Sequence, residues 1–123
     1  MIYGEYVTIP GLVAGASLTA KQYTPVMLSS TAARTVLSHV ATTRVCVGIL
    51  MNDPASGEVA EVAALGVAKC VAGTATLTRG ASLSSNSTGA VPATAGKIWG
   101  IAIDAAVTKG DLISVLLVGP SIY

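Results

Sequence analysis

Short runs of β-branched residues, each cut off by glycine or proline, are the feature that most constrains this chain. Val, Ile and Thr make up 36 of the 123 residues, and Gly or Pro interrupts nearly every stretch of ten. β-branched side chains favour an extended backbone, whereas Gly and Pro supply the special backbone angles of turns. The pattern therefore predicts many short strands joined by tight turns, which is an all-β barrel or sandwich.

The clearest strand lies at 44–51, where Val45, Val47, Ile49 and Met51 alternate on one face. Gly48 interrupts the other face and predicts a bulge or the close approach of another backbone. The twenty alanines leave room for at most one helical turn or short helix, near 29–34 or 102–108. The other predicted strands are 6–9, 23–28, 35–40, 58–62, 66–71, 98–104 and 112–118, of which the last two are apolar on both faces and are predicted to be central.

The sequence also contains two segments that are similar to each other. Segments 47–62 and 99–115 both consist of a strand, a connection, a glycine, an acidic residue and a second strand. The glycine and acid are Gly57 and Glu58 in the first segment and Gly110 and Asp111 in the second. Two similar hairpins that arise from β geometry alone explain this similarity as well as a duplication does. Either origin supports a β core.

Charge is scarce. Charged residues are 11% of the chain, against about 25% in an ordinary soluble domain, and the formal net charge is +1. A compact monomer of this size has roughly 6,000 Å² of accessible surface. We therefore expect other protein to cover much of that surface, although a stable, weakly charged monomer is the alternative. The basic residues are scattered singly and aromatic residues are 4%, so nucleic-acid binding is not expected.

The hydrophobic residues do not form a membrane segment. The most apolar run, 112–118, has seven residues, whereas a transmembrane helix needs about 20. The first residues lack a basic region followed by an apolar block, so no secretory signal is expected in this chain.

The residues that catalysis or metal binding requires are few and dispersed. His39 is the only histidine, no serine lies in a G-x-S-x-G turn, and most of the six carboxylates fall in turn signals. Cys46 and Cys70 each lie in an apolar run, which favours two reduced core thiols over a disulfide or a zinc site with His39. We predict no catalytic residue, no cofactor and no metal.

The aromatic residues lie mostly near the ends of the chain. Tyrosine gives rigid, amphipathic contact area, so Tyr3, Tyr6 and Tyr123 suggest arms that dock against a neighbour. The alternative is that these side chains cap the protein's own core. The predicted organisation is an N-terminal arm with the first strand at 1–20, followed by a β-barrel domain at 21–123.

Two sequence blocks carry a family resemblance. They are VGILMNDPASGEVAEV at 47–62 and GVAKCVAG at 66–73. With RGASL at 79–83, NSTG at 86–89, GIA at 100–102 and GDLISVLL at 110–117, the chain resembles the capsid decoration, or cement, proteins of tailed bacteriophages.

The resemblance implies a small β-barrel or β-tulip-like module, often trimeric, on the outer surface of the expanded phage head. Such a protein would be made in the host cytoplasm, would bind the major capsid protein and would stabilise the capsid by bridging neighbouring capsomers. The N-terminal arm, with Tyr3, Tyr6, Ile9 and Pro10, and the C-terminal Tyr123 would then contact the shell or a neighbouring subunit.

Two other functions are compatible with the sequence. A ligand- or carbohydrate-binding β module would use Trp99 as its aromatic platform. A tail or head-completion protein would form rings instead of decorating the shell.

Overall fold

The computed structural model describes residues 6–39, 45–86, 88–92 and 98–118. Across these ranges the backbone forms strands and turns, and no helix is long and apolar enough to cross a membrane. The strands are β1 Tyr6–Thr8, β2 Val13–Ala14, β3 Pro25–Leu28, β4 Thr35–Ser38, β5 Cys46–Leu50, β6 Val62–Val71, β7 Ser82–Asn86, β8 Gly89–Pro92, β9 Gly100–Ala102 and β10 Leu112–Leu117.

The predicted all-β class is confirmed. All ten strands belong to one mixed sheet, hydrogen-bonded in the order β2-β4-β3-β5-β6-β10-β9-β7-β8, with β1 added on β6. Among the described strand pairs, β2 and β4 run parallel and the others antiparallel. The path begins at β2 and ends at β8, so the sheet is open and closure into a barrel is not shown.

Several predicted strand ends differ from the structure. The predicted strand at 58–62 is wrong, because residues 58–61 approach the sheet through an isolated bridge between Val13 and Val59. The next strand is one ten-residue element, β6, and Gly66 lies inside it with a φ of +102°. Neither region suggested for a helical turn is helical. Arg44 and Val40, at the ends of two predicted strands, lie outside the described residues.

The hairpin of β7 and β8 was not predicted as strands, although its turn at 86–89 was. Serine favours turns over strands, so a Ser-rich segment has no strand signal of its own. Here Ser84 and Ser85 are buried, and β7 pairs with β9 and β8. Tertiary pairing overrides the local preference in this hairpin.

The close backbone approach predicted at Gly48 is confirmed. β5 bulges against β3, where Val26 pairs with Gly48 and Met27 pairs with Cys46. A Cβ at Gly48 would collide with the carbonyl oxygen of Ala63 on β6. The absence of a side chain at residue 48 therefore lets β5 lie against β6.

Two apolar clusters fill the interior, and β6 contributes to both. Val62 belongs to the smaller cluster, with Leu12, Ala14, Leu18, Val26, Val36, Leu50 and Ala60. The larger cluster takes Ala63, Ala68 and Cys70 from β6. Its other members are Cys46, Ile49, Ala72, Leu77, Leu83, Ala90, Trp99, Ala102, Ala106, Ile113, Val115 and Leu117.

The two similar segments also share a pattern of backbone hydrogen bonds. In a first unit, residues 12–63, Ala14 N donates to Glu58 O (2.9 Å) and Gly57 N donates to Ala14 O (2.8 Å). In a second unit, residues 70–116, Ala72 N donates to Asp111 O (2.8 Å) and Gly110 N donates to Ala72 O (2.9 Å). The same pair of bonds thus holds both turns.

The repeat continues along the strands. Gly15 N donates to Val36 O in the first unit, as Gly73 N donates to Ala90 O in the second. Leu50 exchanges hydrogen bonds with residues 23 and 24, as Ala102 does with residues 80 and 81.

Backbone angles and side-chain bonds follow the same correspondence. Tyr23 and Gly80 are both left-handed, with φ of 68° and 83°. Asn52 Oδ1 accepts from Glu61 N, as Asp104 Oδ2 accepts from Ser114 N, both at 3.0 Å. The shared pattern over so many positions favours duplication over two chance hairpins.

The two thiols lie in the larger cluster, and both are free, as predicted. Burial raises the pKa of the Cys46 thiol to about 12. Burial, with a further contribution from Cys46, also raises the pKa of Cys70. Since the thiolate is the reactive form, both groups are inert in the folded protein.

Substituting Gly48 with alanine should strongly destabilise the fold. The new methyl would overlap the Ala63 carbonyl, and separating β5 from β6 should lower the free energy of unfolding by about 3 kcal/mol or more. Gly110→Ala is the control, because no atom crowds that position and only its positive φ is strained, at about 1–2 kcal/mol. Urea unfolding of both variants measures the difference, and equal losses would contradict the close approach.

The folded protein should react very slowly with a thiol reagent such as DTNB at pH 8. With a pKa of about 12, roughly one Cys46 in 10⁴ is a thiolate at that pH, and the reagent cannot reach it. Two thiols per chain should react at least 100-fold faster after unfolding in urea. Rapid reaction of the native protein would show that the larger cluster opens to solvent.

Candidate interaction surface

One face of the sheet is apolar and partly exposed in the described part of the chain. Side chains alternate along β6 and β10, so that residues 68 and 70 of β6 and residues 113, 115 and 117 of β10 point into the larger cluster. The intervening residues point the other way, and register pairs such as Leu112 with Val71 place them on one face. We name this the β6–β10 face; it consists of Val7, Leu65, Val67, Lys69, Val71, Ile101, Leu112, Ser114, Leu116 and Val118.

Five of the nine exposed large hydrophobic side chains of the described residues lie on this face. They are Val7 at 63% exposure, Leu65, Leu112 and Val118 at 49%, and Leu116 at 39%. Val7 joins the face because it pairs directly with Leu65. Residues 65–71 of β6 and three strand spacings span roughly 23 by 14 Å, or about 320 Å². The largest exposed apolar patch of a typical monomer is of about this size and is often functional, so the face is a candidate interaction surface.

The face carries little charge. Lys69 is its charged member, and it is half-buried opposite Ser114, which is 7% exposed. No carboxylate belongs to the face as defined. A partner would therefore be held here mainly by apolar contact and by shape.

The predicted interface residues of the N-terminal segment are divided between the protein's own core and its surface. Tyr6 lies in β1, packs against the larger cluster, and donates a hydrogen bond from its hydroxyl to Glu61 Oε2 at 3.3 Å. Burial and the neighbouring Glu61 raise the pKa of Tyr6. Ile9 packs against the smaller cluster, and its N–H donates to Val62 O. Both side chains thus also serve the core.

Pro10 is the exposed member of that group. Its carbonyl accepts a hydrogen bond from Arg34 Nη2 at 2.9 Å, and the Gly11 carbonyl accepts one from Arg34 Nε at 3.1 Å. This guanidinium fixes the turn between β1 and β2. Tyr3 and Tyr123 lie outside the described residues.

The candidate chemical groups are buried or structural. His39 is 1% exposed and its Nδ1 is hydrogen-bonded to Ser85 Oγ. The carboxylates of Glu58, Asp104 and Asp111 accept backbone N–H groups at the turns, as their turn positions predict. Within the described ranges, no group of three His, Cys, Asp or Glu side chains is placed to hold a metal ion.

Trp99 cannot act as a stacking platform in this fold. It is 2% exposed, within the larger cluster, and its indole Nε1 has no hydrogen-bond partner. The carbohydrate-binding alternative relied on an exposed aromatic ring at this position. With Trp99 inside the core, that alternative loses its site.

The β6–β10 face was not predicted, although its signal was present. Apart from Ser114, residues 112–118 are apolar on both faces of the strand. This pattern predicted a strand that is covered on both faces. β10 is indeed central, between β6 and β9. Its outer side chains Leu112, Leu116 and Val118 are nonetheless 39–49% exposed, and no described element of the chain covers them.

The fold is shared with a phage head protein of known structure. The N base of the head fiber gp8.5 of bacteriophage phi29 superposes with a TM-score of 0.70, covering 95% of this chain and 98% of that one. The two sequences are 19% identical, so this similarity concerns the fold. A search of the curated proteins finds no match.

The sequence itself matches a family model described as phage cement protein, over residues 11–117. That match includes the turns of both units and nine of the ten strands. The chain therefore belongs to the phage cement protein family.

Proposed function

We propose that this protein binds the outer surface of a phage capsid and stabilises the shell by bridging neighbouring capsomers. Its membership of the cement family, which indicates a capsid-associated structural role, is the observation that carries the proposal. The head-fiber fold and the exposed apolar face of a charge-poor domain agree with such a role.

The proposed mechanism is mechanical. A stable protein contact buries about 800 Å² on each partner, and the accessible surface of 6102 Å² has room for two or three such contacts. When one subunit contacts the major capsid protein on both sides of a seam, opening that seam must also separate those contacts. The pressure of packaged DNA is then resisted by additional buried surface.

In this proposal the protein acts without catalysis or a cofactor. The buried His39, the high thiol pKa of Cys46 and the turn-capping carboxylates leave the described side chains to structural roles. The functional form is a homotrimer on the outside of the virion.

The N-terminal segment is proposed to reach the shell or a neighbouring subunit. Exposed Pro10 supports this, because the Arg34 guanidinium holds its carbonyl while its side chain remains accessible to a partner. Tyr3, Tyr6, Ile9 and Tyr123 complete the proposed contact. β1 pairs with β6, so an experiment on this segment must leave residues 6–10 in place.

The purified protein should co-sediment with expanded capsids of the matching phage that lack it, and should raise their temperature of disruption. If the protein bridges capsomers, capsids should bind a fixed number of chains per capsomer and should disrupt at a higher temperature. If it binds within one capsomer, the disruption temperature should stay unchanged. Unexpanded capsids serve as the control. Failure to bind expanded capsids, combined with binding to tails or to the portal vertex, would replace decoration by the head-completion function.

Deleting residues 1–5 should weaken capsid binding by at least 10-fold while the midpoint of urea unfolding stays within about 0.3 M of the intact protein. This deletion removes Tyr3 and keeps β1 in the sheet. The matched control is Leu28→Ala, which changes an exposed side chain on β3. Unchanged binding by the shortened chain would remove residues 1–5 from the contact.

A further inference from the structure

We propose that Tyr6, Tyr23 and Glu61 form a docking site for an arginine side chain of the capsid protein that this chain contacts. The inference rests on the proposed function, because it names the chemistry by which the shell is recognised at one place on the molecule. None of the three residues belongs to the β6–β10 face.

The backbone of Tyr23 is the first observation. Its φ of 68° lies in the left-handed region, where the Cβ of an L-residue is crowded. The equivalent residue of the second unit is Gly80, which adopts a φ of 83° and has no Cβ to crowd. Both units therefore need a left-handed residue here, and the first unit places a strained tyrosine where glycine would fit. Residues strained in this way cluster at ligand-binding and switch sites.

Arg34 is the other non-glycine residue with a positive φ in the described ranges, and its side chain has a structural role. Its guanidinium donates to the carbonyls of Pro10 and Gly11 and so holds a turn of the protein itself. The ring of Tyr23 has no comparable role in the described chain, because its hydroxyl makes no hydrogen bond there and the residue belongs to neither apolar cluster. The half-buried ring is thus available to a partner.

Backbone pairing brings Tyr23 and Glu61 to the two sides of the end of β5. Tyr23 N donates to Leu50 O at 2.6 Å, and Met51 N donates to Glu61 O at 2.7 Å. Leu50 is buried in the smaller cluster, so alternation places Met51 on the opposite face, where Met51 and Tyr6 both pack against the larger cluster. The Tyr6 hydroxyl reaches the Glu61 carboxylate, so the three side chains of the site converge.

The electrostatics of the site favour a cation. Burial, then the Glu61 carboxylate and then Tyr23 raise the pKa of Tyr6, and the last two groups are anions when they ionise. Within the described residues, the Glu61 side chain is bonded by the Tyr6 hydroxyl at 3.3 Å and pairs with no lysine or arginine. Glu61 is exposed, and its Oε1 is available to a donor from outside.

Arginine is the side chain that matches these groups. Its planar guanidinium stacks on a tyrosine ring and donates to a carboxylate at the same time, whereas the ammonium of lysine is a compact, strongly hydrated charge. Tyrosine and arginine are also enriched among the residues that dominate the binding energy of protein interfaces. One arginine of the partner would therefore use both the rings and the carboxylate of this site.

The first test follows the tyrosine ring signals by NMR while N-acetyl-arginine amide is added to the full chain, up to about 50 mM. N-acetyl-glycine amide at the same ionic strength is the control ligand. The ring signals of Tyr6 and Tyr23 should shift and approach saturation with the arginine compound alone. Ring signals that do not respond to it would overturn the proposal.

Glu61→Gln should weaken that response at least 5-fold. Glutamine still accepts a hydrogen bond from the Tyr6 hydroxyl but carries no charge. Asp53→Asn is the matched control, because it removes the charge of another exposed carboxylate and should leave the response unchanged. An equal response in Glu61→Gln and the intact protein would overturn the proposal.

Tyr23→Gly and Tyr23→Asn test the ring. Glycine and asparagine adopt the left-handed region more readily than tyrosine does, so the midpoint of urea unfolding should stay within about 0.3 M of the intact protein or rise. The response of the Tyr6 ring to the arginine compound should nevertheless weaken at least 5-fold in both variants. A lower midpoint in both variants would assign the ring to the protein's own packing and overturn the proposal.

Co-sedimentation with expanded capsids separates this inference from the proposed function. Glu61→Gln and the two Tyr23 variants should bind capsids at least 10-fold more weakly than Asp53→Asn does. If all variants bind as well as the intact protein, the docking site is wrong and capsid binding stands. If the intact protein does not bind capsids while its ring signals respond to arginine as expected, the proposed function fails and the docking site stands.

Discussion

The pairing of β6 is the constraint on which the rest of the structure depends. This strand hydrogen-bonds to β1, β5 and β10, and its side chains enter both apolar clusters. Its residues in the larger cluster are small, namely Ala63, Ala68 and Cys70, and Gly48 on β5 lacks the side chain that would hold β5 away from β6. Neighbouring backbones therefore lie close, and ladder hydrogen bonds and compact packing of small side chains hold this part of the domain together.

The same strand creates the surface that links fold to function. An alternating strand whose two faces are both apolar has to be covered twice. In this chain the interior covers one side of β6 and β10, while the other side displays Val and Leu to the outside. A family whose members associate with phage capsids has a partner available for such a surface. Scarce charge and an exposed apolar face thus agree with the proposed role of a subunit that associates with other proteins.

The sequence predicted the structure correctly where residues close together in the chain determine it. Alternation around Ile49 and the glycine at position 48 located β5 and its close contact, and turn residues located both acidic turns. The sequence-based prediction was incomplete where pairing between residues distant in the sequence determines the structure. The serines of β7 are strand residues because β9 and β8 pair with them. The sequence of β10 indicates that both of its faces need to be covered, but no local pattern says whether the covering element belongs to the same chain. For the tyrosines near the ends, too, the sequence does not say whether they contact this chain or a neighbour.

The repeated units are joined in an unusual way. The first unit ends and the second begins within the continuous strand β6, with no linker between them. Two domains on a linker can swing about it, whereas the segment that joins these two units is itself paired, with β1 at residues 63–66 and with β10 at residues 66–71. Movement of one unit relative to the other requires breaking strand pairing. In the described residues the two units therefore meet without a hinge segment, and a displacement imposed on one unit would be passed along β6 to the other.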